Sequence, residues 1–261
     1  MEIIVLLKQV PATESFIGIA DDGLSIKTED IKWVINPYDE FAVEEALRIK
    51  EAQGEGSVTI ISAGQERAVE AIRTALAMGA DKGILIKDPV VDNCDALGIA
   101  KILAAAIKDL QFDLIIAGQR AVDDDNFQVA TAVAELLSIP NISLVIKEEI
   151  ADGKIRCYRT VEGGTVVLEA PLPALFTTQK GLNEPRYASL PGIMKAKRKP
   201  LDIKSLSDIG IDASEIGEPK AKVLAMKLPP EREGGRIIKG DSSRSIAAEL
   251  VNALHKEAKV I

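Results

Sequence analysis

The chain has 261 residues, of which 47% are hydrophobic and 28% charged, a balance typical of a globular protein with one or two domains. The formal net charge of -8 and the 3% of aromatic residues argue against nucleic-acid binding by the chain as a whole. A single histidine, His255, makes a hydrolytic triad or a zinc site a poor expectation.

Other common signals are also missing from the sequence. No run of about 18 apolar residues predicts a membrane-spanning helix, and the first residues lack the basic flank of a signal peptide. Cys94 and Cys157 suit neither a zinc box nor a disulfide framework, which favours a reducing compartment. Neither a Walker loop nor a dinucleotide fingerprint occurs. The composition therefore favours electron or group carriage by a bound cofactor.

The first half of the chain alternates strands with helices. Residues 3–7 form an unbroken apolar run, typical of a strand buried on both faces of a parallel sheet. Asn36 is expected to cap a helix that has Pro37 in its first turn and ends near Gly54. Further strands are predicted at residues 57–62, 83–87 and 114–117, and further helices at residues 69–78, 100–110 and up to 137. This order predicts an α/β fold with a doubly wound, mostly parallel sheet.

Beyond Pro140 the hydrophobic pattern changes to a period of two. Residues 143–150 and 155–161 predict a hairpin, and residues 166–168 and 175–177 are also expected to be extended. From Pro185 the sequence predicts no regular structure until an amphipathic helix after Ser242. A tail with so few core residues is expected to be held by a partner.

Four segments should meet at the carboxyl edge of the sheet, where open α/β sheets bind ligands: residues 6–10, 36–39, 62–64 and 118–128. Gly118 could let the backbone approach a ligand, and Asn126 could open a helix whose N–H groups suit a phosphate. Asp123, Asp124 and Asp125 would repel a bare phosphate. They could instead cap the helix, accept ribose hydroxyls or point to water, and a plain acidic helix start is the competing interpretation.

The block of residues 182–200 is the second candidate site. Leu190, Ile193 and Met194 lie between prolines and beside a basic cluster, as in an apolar anchor for docking a protein. The alternatives are an ordinary loop with Leu190 folded onto the core, or a nuclear-localisation-like basic run, which the acidic chain disfavours.

Several blocks together resemble the β subunit of the electron transfer flavoprotein family over nearly the whole chain. They are Val5-Leu6-Leu7-Lys8-Gln9-Val10-Pro11, Asn36-Pro37-Tyr38-Asp39-Glu40 with Ala42-Val43-Glu44-Glu45-Ala46, Thr74-Ala75-Leu76-Ala77-Met78-Gly79-Ala80-Asp81, Asp123-Asp124-Asp125 and residues 183–199. The resemblance implies an adenine-nucleotide hydrolase-like, universal-stress-type α/β domain at residues 1–182. It further implies a dehydrogenase recognition loop at residues 183–200 and a C-terminal arm at residues 201–261 that wraps the α subunit.

The resemblance also implies two cofactors: FAD, held mainly by the α subunit, and AMP as a structural ligand of this chain. The positions that match the adenylate site are Leu6, Asn36, Pro37, Tyr38, Asp39, Ala63, Gly118, Gln119, Arg120, Ala121, Val122, Asp123, Asp124, Asp125, Asn126, Phe127, Gln128 and Val129. Bifurcating members instead hold a second FAD there and oxidise NADH. Their loop usually has Gly where this chain has Asp124 and small residues where it has Phe127, so AMP is favoured. Thr13 replaces an aromatic residue that lies near the flavin in some relatives, which puts a flavin contact from this position in doubt.

By the same resemblance, Leu190 is the anchor for acyl-CoA dehydrogenases of fatty acid β-oxidation. The predicted docking surface is Leu190, Pro191, Ile193, Met194 and Lys195. Electrons would then pass to a quinone oxidoreductase or a similar acceptor, with no catalytic residue and no metal site in this chain. A stand-alone adenine-nucleotide-binding stress-type protein is the remaining alternative. We expect a bacterial cytoplasmic protein, or a mitochondrial matrix protein if the source is eukaryotic, without nucleic-acid binding or membrane insertion.

Overall fold

The computed structural model describes residues 1–230 and 234–261, which divide into two units, Met1–Ala225 and Met226–Ile261. The strands are β1 Glu2–Leu6, β2 Gln9–Pro11, β3 Trp33–Ile35, β4 Ser57–Ala63, β5 Lys82–Ile86, β6 Leu114–Gly118, β7 Asn141–Ala151, β8 Lys154–Val161, β9 Gly164–Pro171, β10 Ala174–Thr178 and β11 Leu201–Lys204. The helices are α1 Pro37–Gln53, α2 Ala68–Met78, α3 Ala96–Ile107, α4 Val129–Leu136, α5 Leu190–Ala196, α6 Ala213–Ile216 and α7 Ser243–Ala253.

Nine of the strands form one sheet in the order β11-β5-β4-β1-β6-β10-β7-β8-β9. The strands from β11 to β7 run parallel, and β8 and β9 continue the sheet antiparallel as the predicted hairpin and its neighbour. β2 and β3 form a separate antiparallel ribbon. The prediction of a mostly parallel sheet is confirmed.

Hydrophobic cores lie on both faces of the sheet, which confirms that it is doubly wound. Ile3 and Val5 of β1 belong to the core beneath α1 and α2, while Ile4 and Leu6 belong to the core beneath α3 and α4. Successive side chains of a strand point to opposite faces, so a strand covered on both sides must be apolar throughout. The unbroken apolar run of β1 meets this requirement.

The segment after Pro185 contains more regular structure than the sequence predicts. β11 pairs with β5 at the sheet edge, and α5 and α6 are short helices. The prediction of no regular structure before Ser242 is therefore wrong. These elements have four to seven residues, too few to show a hydrophobic period.

The smaller unit, Met226–Ile261, contains the predicted amphipathic helix as α7. The hydroxyl of Ser242 accepts a hydrogen bond from the amide of Ser245 and caps this helix. Residues 231–233 of the predicted C-terminal arm lie outside the described residues. In the described ranges, no helix has the length and apolar character needed to cross a membrane.

Candidate functional site

The predicted ligand-binding segments lie where the order of the sheet reverses. From β1 the chain builds the sheet outward through β4 and β5, and then returns to the other side of β1 with β6. In register, Leu6 pairs with Ile61 of β4 and Ala117 of β6, so the carboxyl ends of these strands are aligned. Such a switch point leaves a crevice beyond the strand ends.

Most of the predicted adenylate-site residues meet at this crevice. Asn36 precedes α1, Pro37–Asp39 form its first turn, Gly118 ends β6, residues 119–128 form the loop that follows, and Val129 begins α4. Leu6 and Ala63 lie at the ends of β1 and β4, but their side chains pack in or against the core beneath α3 and α4. Any ligand contact by these two residues would therefore come from the backbone.

Asn36 joins the start of α1 to the loop after β6. Its Nδ2 donates to Oδ1 of Asp39 at 2.9 Å and to the carbonyl of Arg120 at 2.8 Å, and its Oδ1 accepts from the amide of Val122 at 3.2 Å. Asn36 is the N-cap residue of α1, as predicted, but its side chain makes no capping hydrogen bond. The buried amide group is committed to holding the loop instead.

Asp39 collects three hydrogen bonds from three segments. Oδ2 accepts from the amide of Lys8 at 2.7 Å, and Oδ1 accepts from Nδ2 of Asn36 and from the amide of Gly118 at 3.0 Å. Burial raises the pKa of Asp39 to about 7, although the three hydrogen bonds and the charge of Lys8 oppose this shift.

Gly118 is required by the packing of α1. A Cβ at this position would lie 2.2 Å from Oδ1 of Asp39 and 2.8 Å from Cβ of Tyr38. The close approach predicted at this glycine is therefore made by the first turn of α1. A backbone contact between Gly118 and a ligand stays a prediction.

The three consecutive carboxylates are matched by cations. Nζ of Lys8 lies 2.8 Å from Asp123 and 3.1 Å from Asp124, and the guanidinium of Arg120 pairs with Asp125. Burial lowers the pKa of Lys8, but the two carboxylates raise it above its usual range. These pairs reduce the repulsion that a phosphate would meet. Lys8 belongs to the predicted edge segment of residues 6–10, but it is not among the residues matched to the adenylate site.

Arg120 lies between two aromatic rings. Its guanidinium carbon is 5.0 Å from the centroid of Tyr38 and 5.4 Å from that of Phe127, distances suited to cation–π contact. One guanidinium nitrogen donates to the hydroxyl of Tyr38 at 2.9 Å. Tyr38, Arg120, Asp125 and Phe127 thus form one cluster that connects α1 with the loop.

The loop stays irregular further than the sequence predicts. Asp125 and Phe127 have φ values of 55° and 59°, in the left-handed region that a right-handed helix cannot include. α4 therefore begins at Val129, and the prediction that Asn126 opens it is wrong. Oδ1 of Asn126 instead accepts from the amide of Gln128 at 3.1 Å. The free N–H groups of the helix start belong to the residues from Val129 onward.

The groups around the crevice include hydrogen-bond donors that a phosphate could use. The first amides of α4 and the ammonium of Lys8 are donors of the kind that a phosphate needs. Oε1 of Gln119 is buried without a partner among the described residues, while its Nε2 donates to Gln179 at 2.7 Å. The crevice thus offers donors for a phosphate, while this buried acceptor stays unpaired within the part of the chain that the structure describes.

The second candidate site, the predicted docking surface, is displayed on a short helix. The side chains of Leu190 and Met194 are 80% and 73% exposed, and Pro191, Ile193 and Lys195 are also exposed. The alternative in which Leu190 folds onto the core is wrong. The hydroxyl of Ser189 accepts from the amide of Gly192 at 3.1 Å and caps α5. A cluster of exposed apolar side chains on a capped helix suits protein contact.

The underside of α5 is fixed to α2. Ala196 is buried, and a Cβ on Gly192 would lie 2.4 Å from the carbonyl oxygen of Ala77, so the two helices touch at backbone distance. A guanidinium nitrogen of Arg73 donates to the carbonyls of Ala196 and Lys199 at 2.6 and 2.7 Å. The exposed side chains therefore project from an anchored base.

The segments on either side of α5 are also anchored. Arg186 forms ion pairs with Glu44 at 2.8 Å and with Glu51 at 2.6 Å, both on α1. Nζ of Lys199 donates to three carbonyls around the end of α2, the nearest being that of Ala80 at 2.5 Å. The sequence did not indicate these anchors, because each joins residues more than 100 positions apart.

Comparison with known proteins shows which family this chain is similar to. A model of the electron transfer flavoprotein domain matches residues 23–209. The chain is 45% identical to the electron transfer flavoprotein subunit beta of Bacillus subtilis over 262 residues, which span all of both chains. It is 40% identical to the subunit beta of Syntrophomonas wolfei over 260 residues, which span 100% of this chain and 98% of that one. It is 39% identical to that of Bradyrhizobium diazoefficiens over 261 residues, again the full length of both.

Proposed function

The chain belongs to the electron transfer flavoprotein family as a β subunit, and we propose from this premise that it pairs with an α subunit to carry electrons between other proteins. FAD, held mainly by the α subunit, would supply the group that is reduced and reoxidised. This chain would contribute an adenylate site and a surface for the electron donor. Within the described residues we assign no bond-making role to any side chain.

The observation that best supports the adenylate site is the joining of β1, α1 and the loop after β6 around Asn36 and Asp39. The residues that match the family's adenylate site come from these segments, and they are connected by hydrogen bonds between 2.7 and 3.2 Å. Pairing of Asp123 and Asp124 with Lys8 makes the acidic loop compatible with a phosphate nearby. AMP is the ligand we propose for this crevice.

A second FAD, as in bifurcating members that oxidise NADH, is the alternative occupant. Phe127 is 46% exposed, and its ring lies against Arg120, which also contacts Tyr38. This cluster would have to open to admit the larger dinucleotide, which favours AMP. The flavin content of the purified pair separates the two possibilities.

The docking surface on α5 would receive an acyl-CoA dehydrogenase. Leu190 and Met194 are exposed apolar side chains on a fixed helix, and Lys195, Lys197 and Arg198 surround them with positive charge. Apolar anchors supply affinity at an interface, while a charged rim raises the rate of encounter. An electron donor with an acidic rim around an apolar pocket fits this surface, and a quinone oxidoreductase or similar acceptor would follow.

Substitution of Leu190 tests the docking assignment. In the αβ pair, Leu190→Ala should slow flavin reduction by an acyl-CoA dehydrogenase about tenfold or more, because an interface anchor is truncated. Bound FAD and its absorption spectrum should not change. Leu136→Ala is the control, since Leu136 is an exposed leucine on α4, across the sheet from α5. Equal loss of rate in both variants, or loss of FAD from Leu190→Ala, would refute the assignment.

The C-terminal arm would pack on the α subunit. Among the described residues α7 buries no side chain, and Leu250 and Val251 are exposed on it. An amphipathic helix without a covered face is what a subunit contact requires.

A stand-alone nucleotide-binding protein of the stress type would leave this helix unexplained. A stable monomer on expression without the α subunit would favour that alternative. The bacterial cytoplasm is the compartment we propose.

A further inference from the structure

Asp39 connects three parts of the crevice, and the proposed function counts it among the adenylate-site residues without saying what its carboxylate does. Its Oδ2 accepts from the amide that follows β1, at Lys8, and its Oδ1 accepts from the last amide of β6, at Gly118. The third donor is Nδ2 of Asn36, immediately before α1. Asp39 is 5% exposed, and its carboxyl group lies beneath the crevice between these segments.

Both oxygens of Asp39 face N–H donors, which indicates an ionised carboxylate. A proton on Oδ2 would point at the amide of Lys8, and a proton on Oδ1 would point at the two donors there. With three donors already bound, the carboxylate has little capacity left for a nucleotide. Its effect on a ligand would therefore pass through the segments that it holds.

The influence of Asp39 extends to the acidic loop through Asn36. The same Nδ2 that donates to Asp39 also donates to the carbonyl of Arg120, and Oδ1 of Asn36 accepts from the amide of Val122. Loss of the carboxylate charge would free Asn36 to rotate and would release two loop positions at once. The loop that carries Asp123 would then lose its alignment with Lys8.

We propose that Asp39 is the positioning residue of the adenylate site, and that nucleotide binding requires its ionised form. The inference rests on the proposed function and deepens it, because it assigns to Asp39 the alignment of the site in place of a direct nucleotide contact. Binding and ionisation are then linked: a ligand that needs the aligned site must bind the ionised form more tightly.

The charged and titratable groups around Asp39 allow this ionisation near neutral pH. Lys8 follows β1 and is held by Asp123 and Asp124, Tyr38 and Glu40 flank Asp39 on α1, and Arg120 follows β6. From β10 the neighbour is Thr178, an uncharged hydroxyl that donates to the carbonyl of Tyr38 at 2.8 Å. Burial raises the pKa of Asp39 to about 7, so nucleotide affinity should fall as the pH drops below that value.

The test is the binding of AMP and adenosine to the nucleotide-depleted αβ pair by calorimetry between pH 5.5 and 8.5. Adenosine is included because the phosphate of AMP itself titrates near pH 6. For the unmodified pair, both affinities should fall about tenfold per pH unit below pH 7. Any difference between the pH profiles of AMP and adenosine would come from titration of the AMP phosphate. Asp39→Asn should bind both ligands at least tenfold more weakly at pH 8 and should lose the dependence seen with adenosine.

Asp81→Asn is the matched control. Asp81 also accepts from a strand amide, that of Val58 at 2.8 Å, and from Nζ of Lys50, but it directly precedes β5 at the amino edge of the sheet, opposite the crevice. Its nucleotide affinity and pH profile should match the unmodified pair. If Asp39→Asn does not fold, the adenosine profile of the unmodified pair decides alone.

Two results would overturn the inference while the adenylate site survives: an adenosine affinity that is flat from pH 5.5 to 8.5, or an Asp39→Asn pair whose affinity and pH profile match the unmodified pair. An unmodified pair that binds neither ligand at any pH would overturn the adenylate site itself, and this inference with it.

Discussion

β6 ends on a glycine because the first turn of α1 occupies the space that a side chain would need. A Cβ on Gly118 would lie 2.2 Å from Oδ1 of Asp39 and 2.8 Å from Cβ of Tyr38, both closer than nonbonded atoms can approach. Asn36 then carries the contact onward to the loop. At the scale of the residue, the site is therefore built by backbone proximity and by two buried polar side chains.

Gly118→Ala should destabilise the protein by about 2–4 kcal/mol, because the new methyl group overlaps Asp39 and the backbone cannot yield without moving α1. The adenylate should be lost from the purified pair at the same time. Chemical denaturation and nucleotide extraction measure the two effects.

Gly64→Ala is the control for this substitution. Gly64 follows β4 at the same edge of the sheet, and the nearest atom to its Cβ would be that of Ala68 at 3.8 Å, an ordinary contact. We expect a change in the free energy of unfolding within about 0.5–1 kcal/mol. A Gly118→Ala protein as stable as Gly64→Ala would show that α1 does not press on β6.

The sequence predicted which residues would gather at the crevice better than it predicted what each would do. Asn36 and Gly118 were placed correctly, since strand ends and glycines mark the carboxyl edge. The role of the Asn36 side chain was misjudged, because a helix cap and a tie between two segments use the same side-chain groups. Choosing between them requires knowing that the carbonyl of Arg120 lies within 2.8 Å. That distance depends on the order of the strands, which no local pattern contains.

At the scale of elements, α5 depends on α2 for its position. Gly192 meets the backbone of Ala77, while Arg73 and Lys199 bind carbonyls across the two helices. β1 was predicted from its unbroken apolar run, and α1 from the apolar face that recurs along its 17 residues. α5 has seven residues and one buried side chain, so it carries no such period, and its helical form depends on Ser189 and on α2.

Gly192→Ala should displace α5 without altering Leu190 itself. The added Cβ would lie 2.4 Å from the carbonyl oxygen of Ala77, so the helix must lift from α2 at a cost of about 1–3 kcal/mol. Flavin reduction by the dehydrogenase should slow as in Leu190→Ala, with FAD retained. Stopped-flow absorbance of the flavin under anaerobic conditions measures this rate.

The control at this scale is Gly164→Ala in β9, where no atom lies within 4 Å of the added Cβ. It should leave the reduction rate unchanged. Normal reduction of the Gly192→Ala pair would mean that the dehydrogenase does not need α5 in its observed position.

At the scale of the whole molecule, the doubly wound sheet follows from the alternation of buried strands with helices of suitable length. The order of its strands was not predicted, nor was β11 at its edge, because pairing between distant segments leaves little trace in local sequence. The order matters for function, since it places β6 beside β1 and so brings Asp123 and Asp124 to Lys8. The family comparison supplies the rest: the chain is a β subunit of the electron transfer flavoprotein family.

The most direct test is the nucleotide content of the purified αβ pair. The pair should be co-expressed, isolated by gel filtration and denatured, and the released nucleotides should be separated and quantified by chromatography. We predict about one FAD and one AMP per pair, with the AMP lost when Gly118→Ala is introduced. A pair without flavin, or one with flavin but no adenine nucleotide at a second site, would contradict the account. Two FAD and no AMP would assign the crevice to the bifurcating type.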